Sequence, residues 1–174
     1  VERAGAGRVL VAGIGNVFRS DDGFGPEVAR RLSRRPWPDG VRVVDYGIRG
    51  LHLAYDLLDP WGVLILIDAL PDRGAVGSVV LLEIASDEIA PDHVMEPAHP
   101  GRQVDAHGMD PVTVLATVGA LGGRIPPRAL LVGCQVAETG DGMGLTPRIE
   151  AAVDEAVHTV QAVVTRELQP TEVA

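Results

Sequence analysis

The sequence predicts an α/β fold: a single domain built on a mostly parallel, five-stranded twisted sheet with one antiparallel edge strand and helices on both faces. Three observations predict it. Apolar runs rich in Val, Ile and Leu alternate along the chain with segments of helical periodicity. The first of those runs, Val9 to Ala12, has no polar member, as expected of a strand buried on both faces. One link between consecutive runs, residues 70–77 with Pro71, Gly74 and Gly77, is too short for a parallel crossover, so the strand after it is antiparallel and at an edge.

The elements follow in order. Residues 8–14 read as the first strand. Gly13 to Gly25 is a glycine-rich loop carrying Asp21 and Asp22, and the helix over 26–35 opens on Pro26, a residue favoured in a first turn. A strand over 41–46, a helix over 50–59 and a strand over 63–69 come next, then the edge strand over 78–84. Residues 85–107, with Pro91, Pro97, Pro100 and Gly101, have no clear period and read as a mobile flap beside the site, with plain disorder as the competing reading. A helix over 110–121, a strand over 129–136 and a helix over 147–167 complete the domain, with Thr146 placed to cap the last helix. Domain boundaries are expected at 8–167, with loose ends at 1–7 and 168–174.

Composition removes several function classes. A net charge of -9 argues against nucleic acid as a partner. The 15 basic residues are all arginine, so neither a P-loop lysine nor a Schiff-base lysine exists. No stretch reaches the length of a membrane span, no signal-peptide layout opens the chain, and the one cysteine, Cys134, has no internal partner. A cytoplasmic location is expected. Cys134 ends an apolar run and reads as a small core residue, with a Cys134–His107 nucleophile pair as the competing reading. His52, His93, His99 and His158 read as surface or loop residues, of which His93 and His99 fall in the flap. Arg30, Arg31, Arg34 and Arg35 crowd one helix end, where positive charge suits the helix dipole, and read as a solvated face, with docking of an acidic partner segment as the weaker reading.

Chemistry concentrates in three places. Asp22 follows the first strand, Asp68 ends the third, and His107 precedes the helix that starts near Asp110. Loops at the carboxyl ends of neighbouring parallel strands converge on one crevice. Two carboxylates and an imidazole fit a three-ligand site for a divalent transition metal, or an acid/base set for peptide hydrolysis. Structural readings stand beside these. Asp21 or Asp22 caps the helix, Asp68 accepts loop N–H groups, and His107 merely begins a helix. Gly13 and Gly15 match a dinucleotide fingerprint, but Phe18 occupies the third glycine position and two aspartates follow where a pyrophosphate needs N–H groups. There is no H-E-x-x-H, so a zincin is excluded.

The run from Gly13 to Gly25 resembles the N-terminal signature of the hydrogenase maturation proteases, G-x-G-N followed by D-[DE]-G-x-G. Ile67-Asp68-Ala69, the segment from His107 to Leu115, and Gly144-Leu145-Thr146-Pro147 resemble further stretches of that family, in the same order. Asp45 to Gly50 is similar to its D-G-G-T-x-G stretch, departing at Tyr46, Ile48 and Arg49. The resemblance implies an endopeptidase that trims the C-terminus of the large-subunit precursor of a [NiFe] hydrogenase. It implies that Asp22, Asp68 and His107 are the catalytic and metal-meeting residues. It implies too that the metal is nickel carried by the substrate precursor, with no permanent metal in the enzyme. A non-catalytic binding module, or a metal-checking chaperone of the same fold, is the rival reading.

Overall fold

The computed structural model describes residues 7–84 and 111–169. Strands β1 (Val9–Ile14), β2 (Val41–Gly47), β3 (Val63–Pro71), β4 (Val79–Glu83) and β5 (Arg128–Val136) form one sheet in the order β2-β1-β3-β5-β4. β1 pairs in parallel with β2 and β3, and β3 with β5. The expectation for the fourth strand holds: β4 lies at the edge and runs antiparallel to β5. The short link after β3 leaves β4 no room for a crossover, and β5 sits between the two.

Among the described residues four α-helices cover the sheet: α1 (Phe24–Ser33), α2 (Gly50–Asp56), α3 (Pro111–Ala120) and α4 (Pro147–Leu168). The strand period of two sorts the core into two layers. Val9, Val11, Ile65, Ile67, Val132 and Cys134 face α1 and α4. Leu10, Ala12, Ile14, Leu64 and Leu66 face α2 and α3, together with Tyr46 and Trp61. Every residue of β1 is buried, which explains its lack of polar alternation. α4 holds its stripe from Ile149 through Val153, Ala156, Val160 and Val164 against the sheet. Arg31 fastens α4 to α1: it donates to Glu27 within α1 at 2.9 Å, to Asp154 at 2.8 Å, and to Glu150. The arginines at that helix end are therefore not simply a solvated face.

The 85–107 segment and His107 lie outside the described residues, as do residues 1–6 and 170–174.

Candidate active site

The site begins with the close approach of a loop to two strand ends. Gly25 opens α1 directly over the carboxyl ends of β1 and β3. A Cβ on it would come within 2.1 Å of the Ile14 carbonyl oxygen and 2.3 Å of that of Ile67. Only glycine lets the helix start here. Gly15 serves the same loop differently: its φ is +137°, and a Cβ would stand 2.0 Å from the Asp22 carbonyl oxygen. These contacts place Asp22 beside the end of β1, and Asp68 is the residue immediately after Ile67 on the neighbouring strand.

The two adjacent aspartates have different jobs. Asp21 is 1% exposed. Its Oδ1 accepts the Thr146 backbone N–H at 2.6 Å and its Oδ2 accepts the Thr146 hydroxyl at 2.9 Å. A carboxylate at the start of α4 suits the helix dipole. Thr146 is the N-cap of α4 by position, but its hydroxyl goes to Asp21 and makes no cap bond within its own helix. Asp22 is half-buried, and its Oδ2 accepts the Asn16 backbone N–H at 2.8 Å. Among the described residues its other oxygen has no hydrogen-bond partner. Neither aspartate caps α1, whose N-cap is Gly23.

A short 3-10 turn, Ser20–Gly23, carries both acids and is zipped to the loop after β5. Ser20 N–H donates to the Gly142 carbonyl at 2.8 Å, Gly142 N–H to Phe18 at 3.0 Å, and Asp21 N–H to Glu138 at 3.0 Å. Ser20 takes a φ of +48°, a conformation uncommon outside glycine, and these bonds hold it there.

Asp68 is partly buried near the end of β3, opposite Gly133 of β5. Its Oδ1 accepts the Ala69 N–H at 2.8 Å. That bond is of the kind expected for a structural role of Asp68.

Asp45 joins this edge from β2, opposite Gly13. A register shift between Gly13 and Ile14 leaves Tyr46 without a strand partner and turns it into the core. Burial raises the Asp45 carboxyl above its ordinary range, against the pull of the Gly47 backbone N–H and the Arg49 guanidinium. Asp45 lines a cavity of about 430 Å³ with Ser20, Glu27, Arg30, Met143 and Glu150. The Arg30 guanidinium holds the Glu27 carboxyl below its ordinary range; burial opposes this and Arg31 adds to it. Val17, Phe18 and Met143 stand 43%, 63% and 77% exposed in the loops that bound this edge, as an apolar rim. Sequence reasoning passed over Glu27, Glu150 and Met143, because their common cavity is set by α1 packing on α4. The matching stretch around Asp45 was the available signal for that residue.

The departures at Tyr46 and Arg49 have structural explanations. The Tyr46 hydroxyl donates to Asp56 at 2.5 Å, and burial followed by that bond raises its pKa. Arg49 Nε donates to the Tyr46 carbonyl at 3.0 Å. Ile48 is exposed.

Cys134 is fully buried between β3 and β4. Burial pushes its thiol up to about 11, with the charges of Asp21 and Glu155 adding and the Gly77 backbone N–H opposing. A nucleophilic thiol needs a lowered pKa and access, and this one has neither.

Among the described residues no three His, Cys, Asp or Glu side chains are grouped closely enough to hold a metal ion. The third residue implied by the resemblance, His107, is outside them.

The architecture is that of an open α/β domain whose cleft lies beyond the carboxyl ends of its parallel strands, walled by acidic residues. A family profile described as hydrogenase maturation protease matches residues 26–163, and the chain belongs to that family of peptidases. It is 34% identical over 153 residues to the hydrogenase expression/formation protein HupD of Rhodobacter capsulatus, covering 86% of this chain and 68% of that protein. It is 27% identical over 156 residues to the hydrogenase 2 maturation protease of Escherichia coli, covering 89% of each. The solved structure of the hydrogenase maturating endopeptidase HybD from E. coli superposes with a TM-score of 0.71 at 28% identity, over 91% of this chain and 93% of that one.

Proposed function

We propose that this chain is the endopeptidase that removes the C-terminal extension of a nickel-loaded [NiFe] hydrogenase large-subunit precursor. One observation supports the reading: the loop that carries Asp22 packs through Gly25 against the carbonyls of Ile14 and Ile67, and Asp68 follows Ile67 on β3. The peptidase family fits that placement.

In this reading Asp22, Asp68 and His107 meet the nickel that the precursor already carries. Carboxylate oxygens and a neutral imidazole are donors that suit a divalent transition ion. Three protein ligands leave positions for substrate atoms or water. The substrate's metal polarises the scissile carbonyl or lowers the pKa of an attacking water. An aspartate of the pair takes the proton from that water as general base, which makes the chemistry aspartic in type. The enzyme holds no metal of its own between turnovers. The working unit is the 8–167 domain, acting in the cytoplasm where the precursor is assembled.

Incubation of the purified chain with nickel-loaded precursor, read by intact mass, tests this. Loss of the extension is the expected result. An uncleaved precursor that stays bound to the chain would replace the enzyme with the non-catalytic module.

A further inference from the structure

The sheet ends at β2, and among the described residues no strand pairs with its outer edge. Arg42, Val44 and Tyr46 are alternate residues of β2 and so share one face of it. With Arg49, His52 and Asp56 they line a groove of about 340 Å³ between the strand and α2. Asp56 is already engaged, accepting the Tyr46 hydroxyl at 2.5 Å and pairing with Arg42 at 3.1 Å. Arg49 bonds neutral acceptors, Nε to the Tyr46 carbonyl at 3.0 Å and Nη2 to the Asp45 carbonyl at 2.5 Å. Asp45, the other carboxylate near Arg49, lines the separate cavity behind Glu27. Guanidinium groups therefore outnumber carboxylates in this groove.

That excess of positive charge stands on a chain of net charge -9. An acidic partner is repelled by the molecule as a whole and attracted at such a patch. The open edge of β2 offers main-chain donors and acceptors to an extended segment. The N–H groups that Arg42 and Arg49 do not already use are donors for carboxylates of such a segment. β2 carries Asp45 opposite Gly13 and ends at Gly47 opposite Ile14, so a segment laid along it runs toward the loop that carries Asp22.

We propose that this groove docks an extended acidic segment of the protein substrate as an added strand on β2, with its carboxylates on Arg42 and Arg49. The proposal rests on the peptidase reading for the identity of the partner. It concerns a surface on the flank of the domain, distinct from the cleft where the bond is cut.

The test is a titration of the isotope-labelled full chain, followed by amide NMR. The probe is an acetylated, amidated hexapeptide alternating Val and Glu, and its Val–Lys counterpart is the control. The Glu peptide is expected to shift amides of β2 and α2, and the Lys peptide to leave them in place. Arg42→Glu should weaken the Glu peptide at least about fivefold, as should added salt. Arg34→Glu, on the far end of α1, should change nothing. Arg49→Glu repeats the test should Arg42→Glu fail to fold. Equal binding of both peptides, shifts confined to other elements, or no binding of the Glu peptide would overturn the proposal. The titration involves no cleavage. A chain that cuts no precursor can still show the groove, and one that cuts precursor but ignores the peptide loses the groove alone.

Discussion

Asp21 and Thr146 lie 125 residues apart, yet one carboxylate takes both the backbone N–H and the hydroxyl of that threonine, at 2.6 and 2.9 Å. The bond pair ties the loop after β1 to the start of α4. It leaves the next residue, Asp22, as the acid of the pair whose one hydrogen bond among the described residues is to the Asn16 N–H.

That division predicts opposite phenotypes for neighbouring residues. Asp21→Ala strands a buried N–H and hydroxyl and should cost about 2–4 kcal/mol. Asp22→Asn keeps an oxygen that can accept the Asn16 N–H and should cost about 1 kcal/mol or less. Urea denaturation of both variants measures this. The reverse order of stabilities would contradict the assignment of the two aspartates.

Activity should divide the other way. Asp22→Ala and His107→Ala are expected to abolish precursor processing; the fold of Asp22→Ala should persist, because truncation in its loop opens no core cavity. Asp22→Glu should keep partial activity, since the family motif accepts either acid at this position. Mass spectrometry of the precursor decides it, and full cleavage by Asp22→Ala would remove that residue from the chemistry.

How much of this was legible in the sequence depends on distance along the chain. The five strands, four helices and the antiparallel edge follow from local period and from the short 70–77 link, so they were readable. Asp22 was readable as an acid in the loop after the first strand; Asp68 read as the end of the third strand, but β3 runs on to Pro71. The split between Asp21 and Asp22 was not, because two adjacent acids look alike until Thr146 arrives through the tertiary fold. The cavity shared by Asp45, Glu27 and Glu150 was hidden for the same reason: its walls come from β2, α1 and α4. Arg31 read as solvated because its partners Glu150 and Asp154 lie on a helix more than a hundred residues later.

Gly25 carries the geometry of the whole site and should tolerate no side chain. In Gly25→Ala the methyl group meets two carbonyl oxygens of the strands beneath it, at 2.1 and 2.3 Å. Backbone atoms cannot swing aside, so a loss of about 3 kcal/mol is expected, with processing reduced through the displaced Asp22 loop. Thermal melting and the cleavage assay report the two effects. A variant with the parent's melting temperature would show that the contact is not tight.

Cys134 gives a pH signature. Its thiol is near 11 in the folded chain, above the ordinary value of about 8.5 for an unfolded one. The folded state thus holds its proton more tightly. The corresponding stability is complete below about pH 8.5 and is lost as pH rises toward 11, by about 3 kcal/mol. Cys134→Ala should flatten that part of the stability profile. Cys134→Ser should still process precursor, and a thiol reagent should leave the folded parent unlabelled at neutral pH. Loss of cleavage in Cys134→Ser with an unchanged melting temperature would reinstate the cysteine as nucleophile.

The central claim is that Asp22, Asp68 and His107 act on nickel brought by the substrate. Paired digestion tests it most directly: metal-free and nickel-loaded precursor, each incubated with the parent chain and with Asp68→Asn, followed by intact mass. The account predicts that the parent cuts only the loaded form and that Asp68→Asn cuts neither. Equal cleavage of both forms by the parent, or cleavage of the loaded form by Asp68→Asn at the parent rate, would contradict it.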